Sequence, residues 1–171
     1  MKMLYNIFGL WIWQFPQTLV GAILVVLLQA EKRTHTNKNG VEIVWYLYDK
    51  DKNWFTKFIS GVSLSCFILL CERGGTPVTI EHEYGHSIQS QYLGWFYLPI
   101  VGIYSAIFCN MWQRWTQDDW NWYDKHYWYY ITRWTESWAD NLGGVNRNDV
   151  LRTIPRPADS RFPAQENQRA A

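Results

Sequence analysis

Three residues near the middle of the sequence have the types and spacing needed for metal-dependent chemistry. His82, Glu83 and His86 form the pattern H-E-x-x-H. Residues four apart share one face of an α-helix, so both imidazoles can point at one metal ion about 2 Å away. The carboxylate between them projects beside that face, where it can take a proton from a water whose pKa zinc lowers to about 7. The spacing therefore predicts a zinc site with Glu83 as the general base.

A pair of acidic residues further along the sequence offers a third metal ligand. Glu136 and Asp140 stand four residues apart, and on a helix they share one face. Glu136 would complete a His₂Glu set and leave the fourth coordination position to water. Asp140 would accept the remaining ring N–H of a ligand histidine, with His82 the favoured partner, and fix its tautomer. We therefore expect His82, His86 and Glu136 to bind one Zn²⁺, with Asp140 behind them.

The two motifs together resemble those of the gluzincin metallopeptidases, and the form Glu-x-x-Ala-Asp over residues 136–140 is similar to that of a membrane-bound branch of this family. The run from Glu81 to Gly94 also resembles a helix found in a set of small uncharacterised bacterial membrane proteins. In those proteins, as here, a Gly-Val-Ser-Leu strand precedes the helix and a Trp-Ala-Asp-x-Leu-Gly-Gly segment follows it. The first resemblance covers only the two motif helices and implies zinc endopeptidase activity. The second covers most of residues 10–145 and implies no activity.

Zincins also use a side chain that donates a hydrogen bond to the developing oxyanion. His126, Tyr127, Tyr129 and Tyr130 lie on or just before the predicted Glu136 helix. We take His126 and Tyr130 as the candidate oxyanion donors. For each of these residues alone, an aromatic side chain at an interface is the simpler interpretation.

Charged residues are missing from Met3 to Ala30. The apolar part of this block, from Ile7 to Leu28, would reach about 33 Å as a helix. A hydrocarbon core is roughly 30 Å thick, so residues 1–30 are predicted to form an N-terminal transmembrane anchor. A cleaved signal peptide is the alternative interpretation.

A second charge-free block runs from Ser87 to Gln113. Within it, Trp95 to Trp112 is interrupted by Pro99 and Gly102. This pattern fits a spanning segment, a re-entrant or broken helix, or a buried core helix. We favour partial insertion. A segment that crossed the bilayer would put the two histidines and Glu136 on opposite faces, whereas one ion must contact all three.

The remaining patterns supply a small sheet and two helices. Residues 41–48 and 61–70 are predicted to be strands, although the second run also fits a short buried helix. Thr76 and Pro77 are typical of a helix start, and Gly143–Gly144 of a helix end. We therefore expect a mainly α fold with a small β-sheet (α+β), a membrane-associated minimal zincin-like scaffold. Its metal-binding domain would span residues 31–151, with a membrane-contacting segment over 95–112 and a flexible tail over 152–171.

The charge composition argues against one class of binding partner. Lys+Arg (16) and Asp+Glu (15) nearly cancel, which argues against a nucleic-acid partner. The preferred hypothesis is a membrane-associated zinc metalloendopeptidase of the bacterial cell membrane that acts on a peptide or protein substrate. Such a protein is also a candidate homo-oligomer. The alternatives are a non-catalytic zinc-binding membrane protein with a structural or interaction role, and a soluble peptidase with an aromatic core.

Overall fold

The computed structural model describes residues 9–37, 40–47, 61–71, 76–107 and 133–146. These residues are mostly helical, with one small mixed sheet. The helices are α1 (Phe15–Leu27), α2 (Pro77–Leu93) and α3 (Trp134–Gly143), and the strands are β1 (Glu31–Asn37), β2 (Gly40–Leu47), β3 (Gly61–Leu64) and β4 (Phe67–Cys71). Shorter helical turns cover Gly9–Trp13, Gly94–Phe96 and Leu98–Gly102.

The four strands are ordered β1-β2-β4-β3. The pairs β1–β2 and β3–β4 are antiparallel, whereas β2 and β4 run parallel, with Val44 opposite Ile68 and Leu47 opposite Cys71. Strand β3 therefore lies at one edge of this sheet, which is the edge next to α2.

Alternating side chains of the two central strands pack against different helices. Val44, Tyr46, Ile68 and Leu70 form a buried cluster with Ile80 of α2. On the opposite face, the buried Leu69 packs with partly buried hydrophobic residues that include Leu24, Val25 and Leu28 of the N-terminal segment and Trp45, Val62 and Phe67 of the sheet. The period of two places the sheet between α2 and α1.

Helix α1 occupies much of the predicted transmembrane anchor, and that prediction is wrong. Pro16 lies in the first turn of α1, which therefore begins anew after the turn at Gly9–Trp13. Helix α1 has 13 residues and is about 20 Å long. In the described ranges, no helix combines the length and apolar character required to cross a membrane. Its buried Gln17, Thr18 and Gly21 make α1 a layer of the folded domain instead.

The strand predictions need one correction. Residues 61–70 form a hairpin, β3 and β4, rather than one strand, because Ser65 adopts a φ of 63° and reverses the chain. The predicted strand at residues 41–48 is present as β2 up to Leu47. The polar segment around His35 is strand β1.

The segment after α2 is an irregular helix. A 3₁₀ turn at Gly94–Phe96 is followed by a π-helical turn at Leu98–Gly102, and helical structure continues to residue 107. Residues 108–112 of this segment and the predicted tail at 152–171 lie outside the described residues.

Candidate metal centre

Helix α2 begins, and helix α3 ends, where their sequences indicate. The Thr76 hydroxyl accepts a hydrogen bond from the Thr79 amide at the start of α2, with Pro77 in the first turn. Helix α3 ends at Gly143, and Gly144 has the left-handed φ of 72° typical of a helix stop. These ends place His82, His86 and Glu136 in the middle of their helices or within one turn of the start.

Two glycines allow α2 and α3 to approach closely. A Cβ atom at Gly85 would overlap the main-chain carbonyl of Ala139, and one at Gly143 would overlap the carbonyl of Glu81. Each helix thus contributes one glycine opposite the other helix's backbone. This close approach brings Glu136 to the histidines of α2.

His82, His86 and Glu136 form one buried cluster. Oε2 of Glu136 lies 3.2 Å from Nε2 of His82 and 3.4 Å from Nε2 of His86. The two imidazole rings are nearly perpendicular, at 83°, with their centroids 4.7 Å apart. The predicted ligand set is therefore assembled from two helices, with Glu136 fifty residues after His86 in sequence.

These distances fit a metal ion. Two ligand atoms bound tetrahedrally at about 2.0–2.1 Å from one ion lie about 3.3–3.4 Å apart. The Glu136 side chain is completely buried, its Oε1 accepts a hydrogen bond from the Thr135 hydroxyl, and its Oε2 accepts none. A buried carboxylate oxygen in this state needs a cation, which is either a protonated imidazole or a metal ion. The cluster can therefore hold a metal ion, and within the described ranges three side chains supply ligand atoms.

Each histidine has a hydrogen-bond partner at its other ring nitrogen, Nδ1. Nδ1 of His82 lies 2.6 Å from Oδ1 of Asp140, as the spacing of the acidic pair predicts. Nδ1 of His86 lies 2.7 Å from Oε1 of Gln89, and the amide nitrogen of Gln89 donates to the Thr135 carbonyl at 2.8 Å. Sequence reasoning missed Gln89, although its position three residues after His86 places both on one helix face.

Without a metal, the cluster retains protons. Burial lowers the pKa of His82, but the hydrogen bond that its Nδ1–H donates to Asp140 and the contact of its ring with Glu136 raise it to about 9. Burial also lowers the pKa of His86, and the nearby Glu136 carboxylate more than offsets this, so the net shift is upward. Burial raises the pKa of Glu136, but the positive charge of His86 and the His82 contact hold it well below its usual range. Protons on the imidazoles thus balance the buried carboxylates in the metal-free protein.

Glu83 lies at the edge of the sheet. A Cβ atom at Gly61, the first residue of β3, would lie 2.6 Å from Oε1 of Glu83. The Ser63 hydroxyl donates to the Glu83 main-chain carbonyl at 2.7 Å, and the Tyr97 hydroxyl donates to the Ser63 carbonyl at 2.9 Å. Burial and the charges of Glu83 and Glu136 raise the pKa of Tyr97 well above its usual value. Tyr97 is a second residue that the motif analysis did not identify.

The candidate oxyanion donors His126 and Tyr130 lie outside the described residues, so their roles remain predictions. No protein-family model, curated protein or solved structure matches this chain. The resemblance to gluzincins therefore rests on the two sequence motifs alone and stays a prediction.

Proposed function

We propose that this protein is a zinc metallopeptidase. The observation that carries the proposal is the buried cluster of His82, His86 and Glu136, in which Oε2 of Glu136 lies 3.2 Å and 3.4 Å from the two imidazole nitrogens, separations that tetrahedral zinc ligands would have. The donor set of two imidazoles and one carboxylate is one that catalytic zinc sites use, because it leaves a coordination position open. Structural zinc sites are usually closed by four protein ligands, often thiolates.

Each residue of the centre has a defined part in the proposed reaction. Bound zinc would supply a Lewis acid that acidifies water and polarises the carbonyl of the peptide. Glu83 would accept a proton from the attacking water and deliver it to the leaving amine. Asp140 and Gln89 would keep Nε2 of the two histidines directed at the ion.

The edge of the sheet supports a peptide as the substrate. Strand β3 is an edge strand of the described sheet and lies beside Glu83. An extended peptide can add to such an edge through main-chain hydrogen bonds, here beside Gly61, because the Ser63 carbonyl already accepts from Tyr97. A chain bound there would lie next to the proposed base.

The test compares zinc content and peptide cleavage in the wild type and in Glu83→Gln. We expect both proteins to hold one zinc ion, while the substitution lowers the cleavage rate by about 10²–10⁴-fold. Glu81→Gln makes the same chemical change two residues away on α2 and is the matched control. Equal cleavage by wild type and Glu83→Gln would refute the assignment of Glu83. Zinc binding without any cleavage would favour the alternative of a non-catalytic zinc protein.

We also propose that the protein works at a lipid surface. Helix α1 and the segment after α2 expose large apolar side chains, and they contact each other through the rings of Phe15 and Trp95, 6.5 Å apart. The exposed set includes Leu19, Ile23, Val26 and Leu27 of α1 and Trp95 and Phe96 after α2. We call these six residues the apolar surface.

The chemistry of the apolar surface favours lipid. Both segments lie in sequence blocks without a single charged residue, which matches a hydrocarbon environment. The indole N–H groups of Trp13 and Trp95 donate to the main-chain carbonyls of Gln91 and Ile12, so the exposed parts of these rings are hydrocarbon. Aromatic rings lie at one end of the surface and aliphatic side chains at the other, as in helices that insert to headgroup depth.

Vesicle flotation tests the lipid proposal. We expect the wild type to float with phospholipid vesicles and Ile23→Glu to bind at least about tenfold more weakly, because a charge is then placed in hydrocarbon. Val78→Glu is the matched control, since Val78 on α2 is 48% exposed and Ile23 is 47% exposed. A wild type that stays with the aqueous fraction, or that instead forms a stable dimer through this surface, would contradict the proposal.

A further inference from the structure

The side chain of Gln89 is completely buried between the two metal-binding helices. Both ends of its amide are in use: Oε1 lies 2.7 Å from Nδ1 of His86, and Nε2 lies 2.8 Å from the carbonyl oxygen of Thr135. Thr135 directly precedes Glu136 in α3. One side chain therefore contacts one metal-ligand histidine and the backbone next to the metal-ligand carboxylate.

The direction of these hydrogen bonds follows from the chemistry of the groups. A main-chain carbonyl only accepts, so the amide nitrogen of Gln89 must face Thr135. The amide oxygen then faces His86, and an oxygen acceptor requires a proton on Nδ1. In a neutral imidazole the lone pair is consequently on Nε2, the atom that lies 3.4 Å from Oε2 of Glu136.

We propose that Gln89 is a positioning residue that fixes the tautomer and ring orientation of His86, as Asp140 does for His82. The proposal rests on the metal site of the proposed function, but it does not depend on peptide cleavage. Gln89 carries no charge, whereas Asp140 does. The centre therefore orients its two histidines by different means, one carboxylate and one amide that is itself held by α3.

Zinc affinity of the full-length chain, measured by competition with a chromophoric chelator, tests this role. Gln89→Met keeps the approximate volume but loses both hydrogen bonds, and we expect the affinity to fall about 10–100-fold. Gln89→Glu keeps an oxygen acceptor for His86 but loses the donor to Thr135. We expect this variant to lose stability yet retain zinc affinity within about threefold of wild type. Gln91→Met, on the exposed side of α2, is the matched control and should bind zinc as wild type does.

Two results would overturn the proposal. If Gln89→Met binds zinc as tightly as wild type, Gln89 does not position His86. If Gln89→Glu loses as much affinity as Gln89→Met, Gln89 acts only by tying α2 to α3.

A second measurement covers the case in which Gln89→Met does not fold. In wild-type protein labelled with ¹⁵N-histidine, we expect His86 to have a proton on Nδ1 both with and without zinc. A proton on Nε2 with none on Nδ1 would overturn the proposal. If the wild type binds no zinc, the proposed function fails, and the labelled metal-free protein, held at a pH at which the His86 ring is neutral, still decides the role of Gln89.

Discussion

Gly85 of α2 lies so close to Ala139 of α3 that a Cβ atom at position 85 would overlap the Ala139 carbonyl. Gly85 directly precedes the ligand His86, and Ala139 directly precedes Asp140, which holds His82. The separation between the two helices, and with it the geometry of the metal centre, is therefore set at a glycine inside the H-E-x-x-H motif.

We predict that Gly85→Ala will separate the two helices and weaken the metal centre. Overpacking of this kind costs about 1–3 kcal/mol, and here the displaced group is backbone, which cannot rotate away. Thermal unfolding and zinc content measure the two effects. Gly102→Ala is the matched control, because a Cβ atom at Gly102 would meet its nearest neighbour at an ordinary 3.4 Å. Unchanged zinc content and stability in Gly85→Ala would mean that the helices do not approach as described.

Asp140→Asn should weaken zinc binding about 10–100-fold while leaving the fold intact. The amide oxygen can still accept from Nδ1 of His82, but the negative charge that makes the imidazole a better ligand is lost. Chelator competition measures the affinity, and Glu31→Gln, which changes an exposed carboxylate of β1, is the control. Wild-type affinity in Asp140→Asn would remove Asp140 from the centre.

The metal-free protein should be most stable between about pH 4.5 and 6.5. The pKa of His82 is raised to about 9, so its contribution is complete below the unfolded value of 6.5 and is lost as the pH rises towards 9. The pKa of Glu136 is lowered, so its contribution is complete above the unfolded value of 4.5 and is lost on acidification. Urea unfolding of chelator-treated protein across this range measures the profile. A stability that rises between pH 6.5 and 9 would contradict the assignment.

Zinc binding should show the opposite dependence on pH. Zinc must displace the proton of His82, so affinity should increase by about tenfold per pH unit for each proton released, up to about pH 9. Calorimetry in two buffers of different ionisation enthalpy counts the protons. Binding without proton release would place the ion elsewhere.

The N-terminal helix should prove necessary for stability. Nε2 of Gln17 donates to the Ser90 hydroxyl at 3.0 Å and to the Gly94 carbonyl at 2.8 Å, both at the end of α2. Gln17→Leu leaves these buried partners unsatisfied, and we expect a loss of about 1–3 kcal/mol in the free energy of unfolding. Gln91→Leu makes the same change at an exposed position and should cost much less. Equal unfolding curves for the two variants would argue that α1 is not part of the domain.

The candidate metal centre could be predicted from sequence because the spacing within each of its two motifs is local to one helix. His82 and His86 are fixed by helical periodicity, and the pairing of Asp140 with His82 follows from the same spacing on α3. Tyr97 could not be found in this way, because its partner Ser63 lies on another element. Gln89 could have been found from its spacing of three residues from His86, whereas its second partner, Thr135, lies on α3.

The N-terminal segment shows why hydropathy alone predicted a transmembrane anchor that is not present among the described residues. An apolar run reads the same whether it enters lipid or covers a sheet, and here α1 covers Leu69 and Phe67. The discriminating residues are Gln17 and Thr18, whose polar side chains are buried against protein. The prediction of one strand over residues 61–70 is also wrong. Nothing in that largely apolar run marks Ser65 as a turn residue.

The most direct test of the whole account is a crystal structure of the full-length protein, with anomalous diffraction recorded above and below the zinc absorption edge. We predict one zinc peak within about 2.0–2.2 Å of Nε2 of His82, Nε2 of His86 and Oε2 of Glu136. The absence of a peak in zinc-supplemented crystals, or a peak on other residues, would contradict the account.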